Sequence, residues 1–234
     1  MADGWAESAA AWIASLGERG DFGRAYVLDR PMLERVARGG FATALDVGCG
    51  EGRFCRMLAE RGIKATGIDP TEPLLAEARR RDPAGDYRLG RAEQLDFTDA
   101  SFDLVVSYLS LIDIPDPAAA IAEMGRVLRP GGSLLIANLA SFSTAGSWSV
   151  DLLGRVRFAI DHYLVERAAW ASWRGIRVRN WHRPLGSYMA LLLDAGLVLR
   201  HFAEPAPYGG DPRRAARFRR APWFVIMEWQ KPSS

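Results

Sequence analysis

The chain has 234 residues, is 49% hydrophobic and 25% charged, and carries a formal net charge of +2. A chain of this length and composition buries its own core as a single α/β domain, without disulfide staples. The near balance of charge speaks against a dedicated nucleic-acid binder, which shows a basic stripe backed by a larger excess.

Cys49 and Cys55 have no metal-ligand spacing and read as free thiols in a reducing compartment. Asp3 and Glu7 stand where an export signal wants positive charge, and the apolar run beside them is too short to span a bilayer. The expected setting is the cytoplasm, with no membrane contact, as a monomer or homodimer.

Trp5, Ala9, Trp12, Ile13 and Leu16 recur at helical spacing, and Gly17 and Gly20 end that helix. Pro31 opens a second helix that closes on glycine. "FATALDV" then reads as a buried strand, "EGRFCRMLAERG" as a helix, "IKATGID" as a strand, and "EPLLAEARRR" as a helix capped by Thr71. "DYRLG" and "FDLVVSYLS" are strands. Asp116 and Pro117 open the helix "AAAIAEMGRVL", and "SLLIAN" is the next strand. This alternation predicts parallel strands joined by right-handed crossovers, a doubly wound sheet.

Past Asn138 the rhythm breaks. Residues 140–183 are rich in Trp, Ser, Gly and Arg and are expected to form a helical insertion. "PLGSYMALLLDAG" restores a helix, and "LVLRHFAEP" and "WFVIMEWQK" read as strands joined by a basic loop, too short a link for a parallel crossover. The expected organisation is one domain: an N-terminal helical lid (1–40), a core (41–139), the insertion (140–183) and a C-terminal helix with a strand hairpin (184–234).

In a doubly wound sheet, ligands sit beyond the carboxyl ends of the strands. Gly48, Gly50 and Gly52, in "ALDVGCGEGRF", stand at the end of the first strand, where glycine lets backbone approach a ligand. A Walker loop has no match, and a dinucleotide fingerprint would need glycine where the chain has Arg53. Glu51, at the start of the following helix, would repel a pyrophosphate. S-adenosylmethionine, which has a ribose and a positive sulfonium but no phosphate, suits an acidic turn of this kind. Asp69, closing the second strand in "GID", can accept both ribose hydroxyls; its plain alternative is a helix cap. Asp46 and Gly48 likewise have a simpler role, that of shaping a tight turn.

In these residues the chain resembles the class I S-adenosylmethionine-dependent methyltransferases, in the small-molecule group related to ubiquinone- and biotin-pathway enzymes. "LDVGCGEGRF" resembles the first motif, "GIDP" the ribose motif, and "GRAEQLDF" a segment in which Ala92 and Glu93 flank the adenine. "SFDLVVSYLSLIDIPD" and "EMGRVLRPGGSLLIAN" resemble the fourth- and fifth-strand motifs, so the likeness runs from about Phe41 to Asn138 in one order. It implies a Rossmann-like, seven-stranded, mostly parallel sheet with the last strand antiparallel. It also implies a cofactor site at Asp46, Gly48, Gly50, Gly52, Asp69, Pro70, Ala92, Glu93, Ser107, Leu109 and Arg24, with S-adenosyl-L-homocysteine as product.

For the acceptor, an apolar pocket is expected from the tryptophan-rich insertion, with Trp148, Tyr163 and Trp181, and from Tyr26 in the N-terminal lid. The plain alternative for the tryptophans is the insertion's own core. His182, in "NWHRPLGSY", matches a His-Arg-Pro stretch of look-alikes and is the candidate base; an exposed cap is the bland alternative. Asp113 stands in "LID" where look-alikes often carry a histidine, and is a second candidate base, a contact for an acceptor amine, or a plain cap. The fifth strand ends in "IANLA", with Asn138 but no acidic ligand, so no metal is expected. The expected function is methyl transfer to a small aromatic or apolar acceptor at oxygen, nitrogen or carbon. Two alternatives stay open: a nucleic-acid methyltransferase that grips phosphate with the arginines from Arg213 to Arg220, and a non-catalytic cofactor-binding protein.

Overall fold

Two helical pieces precede the first strand: α1 (Trp5–Leu16) and, after a π-helical turn at Arg24–Leu28, α2 (Asp29–Gly39). The computed structural model describes residues 3–233. The core then alternates: β1 (Thr43–Val47), α3 (Arg53–Ala59), β2 (Lys64–Asp69), α4 (Glu72–Arg81), β3 (Asp86–Leu89), β4 (Phe102–Tyr108), α5 (Pro117–Val127) and β5 (Leu128–Leu139). Local chemistry sets these boundaries. Asp116 caps α5 by accepting the Ala119 amide at 3.0 Å, with Pro117 at the position where a missing N–H is harmless. α4 carries Glu72 in its first turn and Arg79, Arg80 and Arg81 in its last, matching the helix dipole. Thr71 stands at its N-cap as expected, but its side chain makes no cap bond; its carbonyl accepts the Leu74 and Leu75 amides.

Beyond β5 come α6 (Ser141–Thr144), β6 (Gly146–Val150), β7 (Val156–Ile160), β8 (Arg167–Trp173), β9 (Ile176–His182), α7 (Leu185–Asp194), β10 (Val198–Ala203), α8 (Pro212–Phe218) and β11 (Phe224–Gln230). The expected helical insertion is therefore corrected: apart from the four residues of α6 it is two antiparallel hairpins, β6–β7 and β8–β9. Strand period explains this, because alternate residues pair across each ladder, Trp148 facing Phe158 and Ala171 facing Val178. Arg174 and Gly175, both at positive φ (48° and 81°), form the tight turn of the second hairpin. The "basic loop" is corrected as well: α8 forms there, capped by Asp211, which accepts the Arg214 amide.

The main sheet has seven strands in the order β10-β11-β5-β4-β1-β2-β3. All neighbours pair in parallel except β11, which runs antiparallel between β5 and β10. Alternate residues feed two cores, as expected for a sheet covered on both faces. Val105, Ile136 and Trp229 pack towards Ile121 and Met124 of α5 and Leu192 of α7. Leu104, Val106 and Ile226 pack towards Met32 and Val36 of α2 and Phe54 and Leu58 of α3. A third, smaller cluster joins Ala9, Trp12 and Leu16 of α1 to Ile176 and Val178 of β9 and Leu74 of α4. The second hairpin and the first helix thus form one layer. Ser8 seals it, donating to the Arg177 carbonyl and accepting its amide.

Leu104 has no exposed surface, and truncation there leaves a cavity between the sheet and α3. Leu104→Ala is expected to lower the unfolding free energy by about 2–5 kcal/mol, measured by urea denaturation.

Candidate active site

Strand order reverses between β1 and β4, and the chain turns sharply beyond both. After β1, Gly48 adopts φ +77°, and the Gly48 and Cys49 amides both donate to the Ile68 carbonyl. After β4, Leu109 adopts φ +60°, a left-handed conformation uncommon outside glycine and often found at functional turns. A cleft of about 1010 Å³, its open mouth included, lies between the two turns.

The floor of the cleft is acidic. Asp69 is held by two amides: its Oδ2 accepts Gly50 N at 2.9 Å and its Oδ1 accepts Thr71 N at 2.8 Å. Each of its oxygens keeps a second acceptor position. Asp46 and Glu51 line the same floor, and their Oδ1 and Oε1 atoms are buried without a hydrogen-bond partner. Burial pushes Asp46 up to about 7 and raises Asp69 as well, the Gly50 and Thr71 amides opposing that rise. Unpartnered buried carboxylate oxygens suit a cation and repel a phosphate. These residues therefore fit S-adenosylmethionine: a sulfonium and an amine for Asp46 and Glu51, vicinal ribose hydroxyls for Asp69. Pro70, Ala92 and Glu93 continue the wall from Asp69.

The opposite wall carries Leu109, Ser110 and Asp113 beyond β4, and Asp3, Trp5, Trp12 and Arg24 from the N-terminal segment. Asp113 accepts a hydrogen bond from the Asn180 amide of β9, and burial pushes its carboxyl up to about 8. Arg24 pairs with Asp21 at 2.9 Å, and its guanidinium lies 4.8 Å from the Trp12 ring centre.

Of the residues expected from sequence, Asp46, Gly48, Gly50, Asp69, Pro70, Ala92, Glu93, Leu109, Arg24 and Asp113 line the cleft. Gly52 and Ser107 do not. Gly52 shapes the turn at φ +74°, where a Cβ would meet the Tyr87 ring at 2.5 Å. Ser107 is fully buried and bonds the Ser110 hydroxyl at 2.8 Å, so it acts from behind the wall.

The expected acceptor residues are placed elsewhere. His182 is 3% exposed and both ring nitrogens are engaged. Nε2 donates to the Tyr163 carbonyl at 2.8 Å, and Nδ1 shares a hydrogen bond of 2.6 Å with the Thr144 hydroxyl. A histidine tied on both sides outside the cleft wall has no free lone pair for a substrate proton. Tyr163 stacks on Phe142 and accepts the Leu185 amide; Trp181 packs against the Arg183 guanidinium. Trp148 packs edge-on against Phe158 in the first hairpin, and Tyr26 lies outside against Phe22 and the backbone near Gly209 and Gly210.

Sequence reasoning missed a buried network behind the cleft. Arg53 donates to both oxygens of Asp29, at 2.9 and 2.5 Å, and the Tyr108 hydroxyl donates to Asp29 at 2.6 Å. Arg53 and Tyr108 line the cleft, so this triad ties the glycine turn, β4 and α2 together at the site. Arg53 had figured only as an absent glycine, and Asp29 stood out by nothing but its place before the second helix. Arg183, the neighbour of His182, donates to the carbonyls of Ile114 and Pro115 at 2.8 and 2.9 Å and so anchors the loop that bears Asp113.

Two outcomes follow from this geometry. A Cβ on Gly48 would stand 2.3 Å from the Ser110 Cβ on a strained backbone, so Gly48→Ala is expected to lower the melting temperature and abolish S-adenosylhomocysteine binding, measured by calorimetry. Asp46, Asp69 and Asp113 all hold their protons more tightly folded than unfolded. Their contribution to stability is full below the ordinary value of 3.8 and is lost as pH rises through the folded values, up to about 8 for Asp113. Between about pH 5 and about pH 8 the ligand-free protein should therefore lose thermal stability, and Asp113→Asn should lose less, measured by melting at each pH.

Comparisons with known proteins bear on the family and the fold. The methyltransferase domain family matches residues 45–136. A malonyl-acyl-carrier-protein O-methyltransferase of Serratia marcescens is 40% identical over 53% of this chain, which spans 50% of that relative's length. A ubiquinone biosynthesis O-methyltransferase of Pseudomonas paraeruginosa is 33% identical over 65% of this chain and 73% of its own length. The crystal structure of an S-adenosylmethionine-dependent methyltransferase of Mesorhizobium loti superposes with a TM-score of 0.76 at 29% identity, covering 86% of this chain and 96% of that one. Sheet order, cleft floor and shared sequence converge on one conclusion: the chain belongs to the S-adenosylmethionine-dependent methyltransferases.

Proposed function

We propose that the chain methylates an oxygen atom of a small, largely apolar acceptor, with Asp113 taking the acceptor's proton. The observation that carries this is the Asp113 carboxyl, buried in the wall opposite Asp69 and steadied by Asn180. When bound, S-adenosylmethionine supplies a methyl group already activated by its sulfonium. The remaining work falls to the chain. Asp69 accepts ribose hydroxyls with its spare lone pairs, the unpartnered oxygens of Asp46 and Glu51 attract positive charge, and Arg24 faces the cleft as a cation for a carboxylate. Trp5 and Trp12 give that wall an apolar, rigid surface and exclude water, which strengthens every charge interaction inside.

Holding two reactants in line accounts for most of the acceleration in such a displacement, and a base adds to it where a hydroxyl must lose its proton. A carboxyl whose proton is lost near neutral pH suits that task better than an ordinary acid. Oxygen is favoured because both relatives named above are O-methyltransferases. The five arginines from Arg213 to Arg220 stand outside the cleft wall, so nothing in the site favours the nucleic-acid alternative.

Calorimetry is expected to show S-adenosylhomocysteine binding that Asp69→Ala weakens by about a hundredfold, with no binding of NAD; tight NAD binding would overturn the proposal. With a panel of phenols and hydroxy acids, Asp113→Asn is expected to lower kcat by about 10²–10⁴ while leaving S-adenosylhomocysteine affinity within a few fold. For the parent, kcat/KM should rise with pH up to about 8 and then level. Unchanged turnover in Asp113→Asn would remove Asp113 from the reaction and leave the cofactor assignment standing.

A further inference from the structure

The first hairpin carries side chains that neither the core nor the cleft uses. Near its base, Trp148 and Phe158 form one face and pack inward, Phe158 lying 6.2 Å from Trp223. The same face continues outward through the Val150–Val156 pair, 68% and 47% exposed. At the tip, Leu152 is 106% and Leu153 74% exposed. The tip is ordered. Asp151 accepts the amides of Leu153 and Arg155, each at 2.9 Å, and pairs with the guanidinium groups of Arg155 and Arg157. Two leucines are thus held out in water by a built turn, where a chain under no other demand places polar residues.

The flank of this hairpin is cationic. α8 and the residues after it carry Arg213, Arg214, Arg217, Arg219 and Arg220. Among the described residues none of the five has a carboxylate within ion-pair distance. Arg217 and Arg220 sit 5.1 and 4.8 Å from the Trp148 ring centre, and Arg220 donates to the Val156 carbonyl. Uncompensated positive charge therefore lies against the apolar face that leads to the leucines.

A partner must complement both features. A second copy docking through this same face would bring the same arginines, and like charges would meet. An anionic bilayer meets both demands, because acidic headgroups pair with arginine and the acyl boundary accepts leucine. We infer that the β6–β7 tip and the arginines around Trp148 dock the chain peripherally on an anionic lipid surface. The inference does not rest on the methyl-transfer reading. No helix among the described residues is long and apolar enough to cross a membrane, and none is needed, since two inserted leucines and a few arginines give reversible surface binding. The inference departs from the sequence-based expectation of no membrane contact, and the vesicle experiment decides between them.

The test is sedimentation of the whole chain with vesicles of phosphatidylcholine alone, or with about a third phosphatidylglycerol. Binding is expected to the anionic vesicles only, to weaken steeply as salt is raised, and to fall about tenfold or more in Leu152→Ser/Leu153→Ser. Leu152 and Leu153 are exposed and outside the cleft, so the double variant should keep the parent's melting temperature and S-adenosylhomocysteine affinity. No binding to anionic vesicles would overturn the inference. So would equal binding to both vesicle types, binding indifferent to the double variant, or self-association in solution that the double variant abolishes without any vesicle binding.

Discussion

Much of the site hangs on one carboxylate. Asp69 closes β2 and accepts an amide from Gly50 across the sheet and another from Thr71 at the mouth of α4. Those two bonds fix the glycine turn against the neighbouring strand and aim the remaining lone pairs into the cleft. They also hold an anion in a buried place, beside Asp46 and Glu51, whose outer oxygens have no partner. Such a floor carries electrostatic strain while it is empty of positive charge, and a cation relieves that strain. The acidity that disfavours a phosphate is present in the fold before any ligand arrives.

The second wall is assembled from four distant parts of the chain. Arg53, Asp29 and Tyr108 join the glycine turn, α2 and β4 through short charge-assisted bonds. Arg183, just past β9, bonds the loop that carries Asp113, and Asn180 of β9 bonds Asp113 itself. The second hairpin is consequently the rear support of the candidate base. α1 packs on that hairpin through Trp12, Ile176 and Val178, so the N-terminal helix and the base are mechanically coupled.

The core was legible in the sequence because its signals are local. Strand, glycine turn and helix follow one another within a few residues, and Asp69 lies at a spacing from Gly50 that the strand geometry dictates. The antiparallel pairing of β10 and β11 followed from the short link between them. The insertion was less legible. Its strands are short, and Trp, Ala and Arg do not separate strand from helix by composition; only the pairing of Trp148 with Phe158 and of Ala171 with Val178 reveals period two. The surroundings of His182 were illegible for a related reason. A His-Arg-Pro stretch names a place in the chain, whereas its role depends on Thr144 and the Tyr163 carbonyl, partners that sequence cannot assign. The Asp29–Arg53 pair spans 24 positions and left no periodic or motif trace.

The antiparallel seventh strand has a consequence for assembly. β11 is made after β10, yet it lies inside the sheet, between β5 and β10. During synthesis β5 therefore presents an unpaired edge from the time it folds until residues 224–230 leave the ribosome. That edge includes Leu134, Leu135 and Ile136, a run suited to pairing with strands of other chains. β11 can complete the sheet only after the hairpins, α7 and β10 have been translated, and the β5 edge stays open until then.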